Sequence, residues 1–235
     1  ASLRCPEHLA ELSAIRRLPQ RKVKTTEVDY LTPEEVGWVL EGCGTPGSRL
    51  LLLMLYNTGA RVSEVVGISV DDVGVGDGGR YRITVLGKSR KQRTLPLWKD
   101  VSDELRAYID AEGLDAEDYL FAGRSVGHLT RSGARSRIDS AVARACEKHP
   151  SLTGKHVTPH TFRHSTAMAM LAAGVDIATV AIWLGHENVN TTHKYVVSNM
   201  KLKEEALAKV RRDWQAVPRK PYRAEGDVLA FLRSL

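Results

Sequence analysis

A chain of 235 residues that is 43% hydrophobic can bury a full core, as one large domain or as a domain with extensions. Its formal charge of +6 and pI near 9.3 lean toward an anionic partner. Cys5, Cys43 and Cys146 are widely spaced with no CxxC pair, which argues against a disulfide framework and for a reducing cytoplasm, and no apolar run approaches the roughly 20 residues of a membrane span. A soluble cytoplasmic protein without membrane contact is the expectation. Arg80, Arg82, Lys88, Arg90, Lys91 and Arg93 crowd one segment, and Arg131, Arg135, Arg137, Arg144 and Lys148 another. Either run alone reads equally well as a solvated face or a binding face; two of them in one modest domain shift the balance toward nucleic acid.

Residues 1–25 read as an extension, with Arg16, Arg17, Arg21, Lys22 and Lys24 forming a basic connector that suits a DNA backbone or a flexible linker equally well. The first strong signal is Leu31-Thr32-Pro33-Glu34-Glu35-Val36. Thr32 suits the N-cap, Pro33 the first helical position, Glu35 the return bond of a capping box, and Leu31 and Val36 a staple across it. A second helix is predicted from Thr45-Pro46 through the run Leu50–Leu55, apolar enough to be buried on most sides, with Gly59 as its left-handed stop. Arg61 then emerges between that buried helix and a short one over Val62–Val66.

The period changes over 67–97. Ile68-Ser69-Val70, Tyr81–Val85 and Arg93–Leu97 are predicted as strands of a small antiparallel sheet, with Lys88 in or beside a hairpin turn. Helices resume over about 99–112, from Ser132 to His149, and after His160 as far as Gly174. Asp176 caps another that Gly185 ends; Asn190 can cap a short helix carrying Tyr195, and Lys201 to Arg212 a further one. Residues 215–235 close the chain as a basic connector and a short amphipathic segment, Val228–Leu232.

Helix endings deliver several phosphate-directed groups: Arg61 after Gly59, His160 and Arg163 one turn apart, His186 after Gly185, and Tyr195 nine residues beyond His186. A phosphodiester cut by a protein nucleophile needs a hydroxyl, cations on the non-bridging oxygens and an acid for the leaving oxygen. Arginine suits the clamp because its planar fork stays charged, while lysine and histidine suit proton transfer. His156, His160 and His164 recur every four residues, but no carboxylate accompanies them and Arg163 would stand beside the ion, so a metal site is not the expectation.

In that order, these motifs resemble the catalytic domain of the tyrosine recombinases, the phage integrase family. Thr58-Gly59-Ala60-Arg61-Val62-Ser63-Glu64 is similar to the segment of the family's first arginine, Gly87-Lys88 to its hairpin lysine, and His160-Thr161-Phe162-Arg163 to its His-x-x-Arg. Leu184-Gly185-His186 and Tyr195 match its third basic position and its nucleophile. The resemblance covers roughly residues 26–212. It implies a mainly α fold with a small antiparallel β-sheet (α+β), in the tyrosine recombinase catalytic-domain architecture, over residues 26–214.

The resemblance also implies the chemistry. Tyr195 attacks the scissile phosphate of double-stranded DNA to form a 3′-phosphotyrosine, Arg61 and Arg163 clamp the phosphate, and Lys88 protonates the leaving 5′ oxygen. His160 moves a proton with the nucleophile, His186 hydrogen-bonds the phosphate, Glu64 braces the site, and no cofactor or metal takes part. Integrase, recombinase or transposase activity on a mobile element, carried out by a homo-tetramer on DNA, is what the family leads one to expect. The alternatives are a type IB topoisomerase, a DNA-binding regulator with a vestigial site, and a metal-dependent nuclease. Family members carry an N-terminal core-binding domain of about a hundred residues, so the first residues are expected to be its remnant.

Overall fold

The structure is a computed structural model, described here for residues 29–76, 79–87, 92–123 and 127–186. Its first helix, α1 (Pro33–Glu41), begins as its sequence dictates. Thr32 Oγ1 accepts from Glu35 N at 3.2 Å, and Glu35 Oε2 returns the bond to Thr32 N at 2.9 Å. Leu31 and Val36 are both buried beside this cap.

The helix α2 (Pro46–Thr58) is the centre of the fold. Every residue from Leu50 to Thr58 is buried, so the unbroken apolar run is explained by neighbours on all sides. At about 1.5–3 kcal/mol for each large apolar side chain removed from water, this helix anchors the core. It packs against α4 (Lys99–Glu112), α5 (Arg131–Lys148) and α6 (Pro159–Ala172). Gly59 ends it at φ +57°, and a Cβ there would lie 2.5 Å from Leu184 Cδ2, so both the turn and the close packing demand glycine.

After the short helix α3 (Val62–Val65) comes a three-stranded antiparallel sheet in the order β1 (Val73–Val75), β2 (Tyr81–Leu86), β3 (Gln92–Pro96). Val73 faces Ile83, and Ile83 faces Leu95, on the core side. The expected strand at Ile68-Ser69-Val70 is not one. Ser69 makes only an isolated bridge to Tyr119, and Val70–Asp72 form a single 3-10 turn. Asp72 explains the difference: its carboxylate accepts from both Ser69 N (3.0 Å) and Ser69 Oγ (2.9 Å), a local bond that competes with ladder pairing.

The helix predicted to follow His160 starts one residue before it, because Thr158 is its N-cap, accepting from Thr161 N at 3.2 Å, and Pro159 its first residue. His160 therefore sits in the first turn of α6. Asp176 caps α7 (Ile177–Leu184) through Ala178 N and Thr179 N, and Gly185 closes it at φ +66°. The sheet is joined to the helical body by Asn57, which is buried, donates to Pro96 O and accepts from Trp98 N. Among the described residues no helix is long and apolar enough to cross a membrane. The expected helices carrying Tyr195 and residues 201–212, the basic connectors and the Val228–Leu232 segment lie outside the described residues.

Candidate active site

Arg163 reaches inward from α6 and is only 4% exposed. Its Nη1 donates to Gly59 O at 2.6 Å and its Nη2 to Leu184 O at 2.7 Å. Both carbonyls lie at helix ends, where the backbone has acceptors without intrahelical partners. Each stands two residues before another candidate: Gly59 before Arg61, Leu184 before His186. One guanidinium therefore fixes the two chain turns that present the other basic groups. Thr166, one turn further along α6, strengthens the junction by donating to Tyr56 O at 2.6 Å.

Arg61 lies nearer the surface, with 38% of its side chain exposed. Its backbone N donates to Glu64 Oε2 at 2.8 Å and its Nη1 to Glu64 Oε1 at 2.9 Å. Glu64, 4% exposed at the side chain, also accepts from Arg93 Nη2 at 2.6 Å. Burial alone would raise this carboxyl's pKa, but the bonds from Arg93 and Arg61 outweigh it and hold it below the ordinary range. Glu64 is thus an anion spent on bracing two arginines.

His186 is half-buried beside these cations. Burial first, then the charges of Arg163, Arg61 and Arg93, push its pKa down to about 4. Its imidazole is neutral at pH 7 and can offer one N–H to an anion. His164 is pushed to about 4 as well, by burial and then by His160 and Arg163, which suits a packed supporting ring. His160 itself is exposed at the start of α6, whereas Arg163, one turn on, is buried. Among the described residues no group of three or more His, Cys, Asp or Glu is placed to hold a metal ion.

Of the six expected site residues, then, Arg61, Arg163 and His186 converge, His160 stands at the neighbouring helix start, and Lys88 and Tyr195 lie outside the described residues. Sequence reasoning missed Arg93, which was counted only within a basic run. A signal existed: Arg93 shares a strand face with buried Leu95, and a charged residue on an inward face needs a partner.

Three arginines, one braced carboxylate and a neutral imidazole make a positively biased cluster, a set of groups whose chemistry suits a phosphate ester. The chain belongs to the phage integrase family, whose family model matches residues 30–201, and it has the tyrosine recombinase catalytic-domain fold. It is 35% identical over 240 residues to a Sinorhizobium fredii protein bearing the name integrase/recombinase y4rC, covering 100% of this chain and 71% of the relative. The crystal structure of a XerA recombinase superposes with a TM-score of 0.66 at 27% identity, covering 79% of this chain and 66% of that one. XerH recombinase bound to its difH substrate shares the fold at 24% identity and a TM-score of 0.63, covering 76% of this chain and 52% of that one. Against other curated relatives the chain spans between about half and two thirds of their length.

Proposed function

We propose that the chain cuts and rejoins double-stranded DNA site-specifically through a covalent tyrosine intermediate. The observation that carries this reading is the buried Arg163 guanidinium, which holds the Gly59 and Leu184 turns so that Arg61 and His186 flank it. A guanidinium has five N–H donors, so one arginine can hold backbone and bind a phosphate oxygen as well. Family membership supports the same chemistry.

In this reading Tyr195 Oη attacks the scissile phosphorus while the bond from phosphorus to the 5′ oxygen breaks. His160 takes the phenol proton and Lys88 gives one to the 5′ oxygen, so charge and protons balance. Arg61 and Arg163 stabilise the charge on the non-bridging oxygens, and His186 donates its N–H to one of them. Attack by a 5′-hydroxyl of a second duplex reverses the step. Bond energy is conserved in the phosphotyrosine, and no external energy source is required. Four copies on paired DNA sites, in the cytoplasm, are the assembly this exchange calls for.

A duplex nicked beside the scissile phosphate tests the reading, because the severed fragment diffuses away and leaves the covalent complex trapped. The parent chain is expected to form a denaturation-resistant adduct, mapped to Tyr195 by peptide mass, and Tyr195→Phe none. Equal trapping by Tyr195→Phe would end the proposal.

A further inference from the structure

The sheet contributes a residue to this site that none of the site motifs contains. Arg93 Nη2 donates to Glu64 Oε2 at 2.6 Å, the oxygen that also receives Arg61 N, while the second carboxylate oxygen receives Arg61 Nη1. The carboxylate is thus held from two sides: the start of α3, which presents Arg61, and β3. Arg93 is itself confined. Its side chain is 15% exposed, and its guanidinium lies against Gly185, where a Cβ would come within 2.9 Å of Nη1. Its Nε is buried without a hydrogen-bond partner among the described residues, a cost that an arginine kept only for stability need not bear.

Buried ion pairs are weak sources of stability, since desolvation offsets most of their attraction. What such a pair does supply is direction. Arg61 has a long, partly exposed side chain whose described anchor is Glu64, and Glu64 can point one way only while both oxygens are engaged. We propose that Arg93 is a positioning residue of the cleavage site, orienting Arg61 through Glu64 without touching the phosphate itself. This rests on the reading of the site as a DNA-cleaving centre. Lysine at this position retains the charge and can keep one bond to Glu64 but lacks the guanidinium that lies against Gly185. Glutamine retains neither charge nor contact.

The test is single-turnover adduct formation on the nicked duplex, measured against pH, with DNA affinity and melting temperature determined alongside. Arg93→Gln is expected to slow adduct formation by about 10²-fold, the scale of an ångström-sized misplacement, with DNA affinity kept within a few-fold. Arg93→Lys should recover part of that loss. At the acid end of the profile, where Glu64 rather than the base takes up the proton, the fall in rate should set in at higher pH in Arg93→Gln, because Glu64 has lost a donor that favours its anion; a purely structural defect leaves that end unchanged. Glu64→Gln should slow the reaction similarly, and the double variant little more than either single one.

Parent-like rates in Arg93→Gln, or losses that multiply in the double variant, would overturn the proposal. Should Arg93→Gln fail to fold, Arg93→Lys decides: a slowed but folded variant supports the proposal, and a parent-like rate overturns it. Failure of the parent chain to form any adduct would instead remove the functional reading, and this inference with it.

Discussion

Arg163 and Arg61 have the same charge and the same expected role, yet the fold holds them in opposite ways. Arg163 is sunk in the helical interior and bonded to two backbone carbonyls that no intrahelical donor reaches. Arg61 stands at the outer edge, 38% exposed, and leans on a carboxylate. The interior arginine is therefore part of what keeps α2, α6 and α7 together, while the edge arginine can be lost with the core intact. Chemistry and stability are fused at one position and separable at the other.

The largest expected effect follows from that fusion. Arg163→Ala leaves the carbonyls of Gly59 and Leu184 buried and unpaired, at about 1–3 kcal/mol each, so urea unfolding should report a loss on the order of 2–5 kcal/mol together with loss of adduct formation. Arg61→Ala should divide the two properties. Glu64 keeps Arg93 and the backbone N–H of residue 61, so stability should fall by only about 1 kcal/mol. Adduct formation should drop by at least about 10²–10³-fold, the scale for one missing preorganised donor. If Arg61→Ala unfolds the chain as readily as Arg163→Ala does, the contrast is wrong.

The same contrast governs what could be read from the sequence. Caps, stops and the buried run Leu50–Leu55 were legible because they depend on neighbours a few residues away: Thr32 with Glu35, Gly59 with its own φ, Asp176 with Thr179. The residue types of the site were legible because helix endings announced them. The Arg163 bonds span 104 residues to Gly59 and 21 to Leu184, and nothing local encodes them. Ser69 failed as a strand residue for the converse reason, a local side-chain bond to Asp72 overriding a pattern of apolar neighbours. Arg93 was hidden because its partner, Glu64, comes from an element 29 residues away.

A smaller effect tests the electrostatics of the interior. His164 and His186 have pKa values lowered to about 4, against about 6.5 in an unfolded chain. Between those values the unfolded state binds protons that the folded state does not, so stability should decline as pH falls from about 6.5 toward 4. Glu64 adds to the decline at the acid end, since its lowered pKa means stability present above the unfolded carboxylate value and lost as pH drops through the folded one. Melting temperature measured between pH 7 and 4.5 should show this slope. His164→Gln should flatten it, whereas an unchanged slope would mean that His164 is not held neutral by its surroundings.

The smallest effect concerns an ion pair outside the group formed by Arg61, Arg163 and His186. Lys155, ahead of α6, donates to both oxygens of Glu35 at 2.7 and 2.8 Å, and so ties the cap of α1 to the turn before α6. Burial would raise the Glu35 carboxyl, but Lys155 and Thr32 bring it below its usual value. The arrangement copies that of Glu64, a helix-start carboxylate gripped by a distant cation, but the cation that Glu35 holds is Lys155 where Glu64 holds Arg61 and Arg93. Lys155 keeps 32% of its side chain in solvent, so the pair belongs near the weak end of ion pairing. Lys155→Met should therefore cost about 1 kcal/mol or less in urea unfolding and leave the rate of adduct formation at the parent value. A rate loss comparable to that of Arg61→Ala would show that the proposed site is coupled to α1.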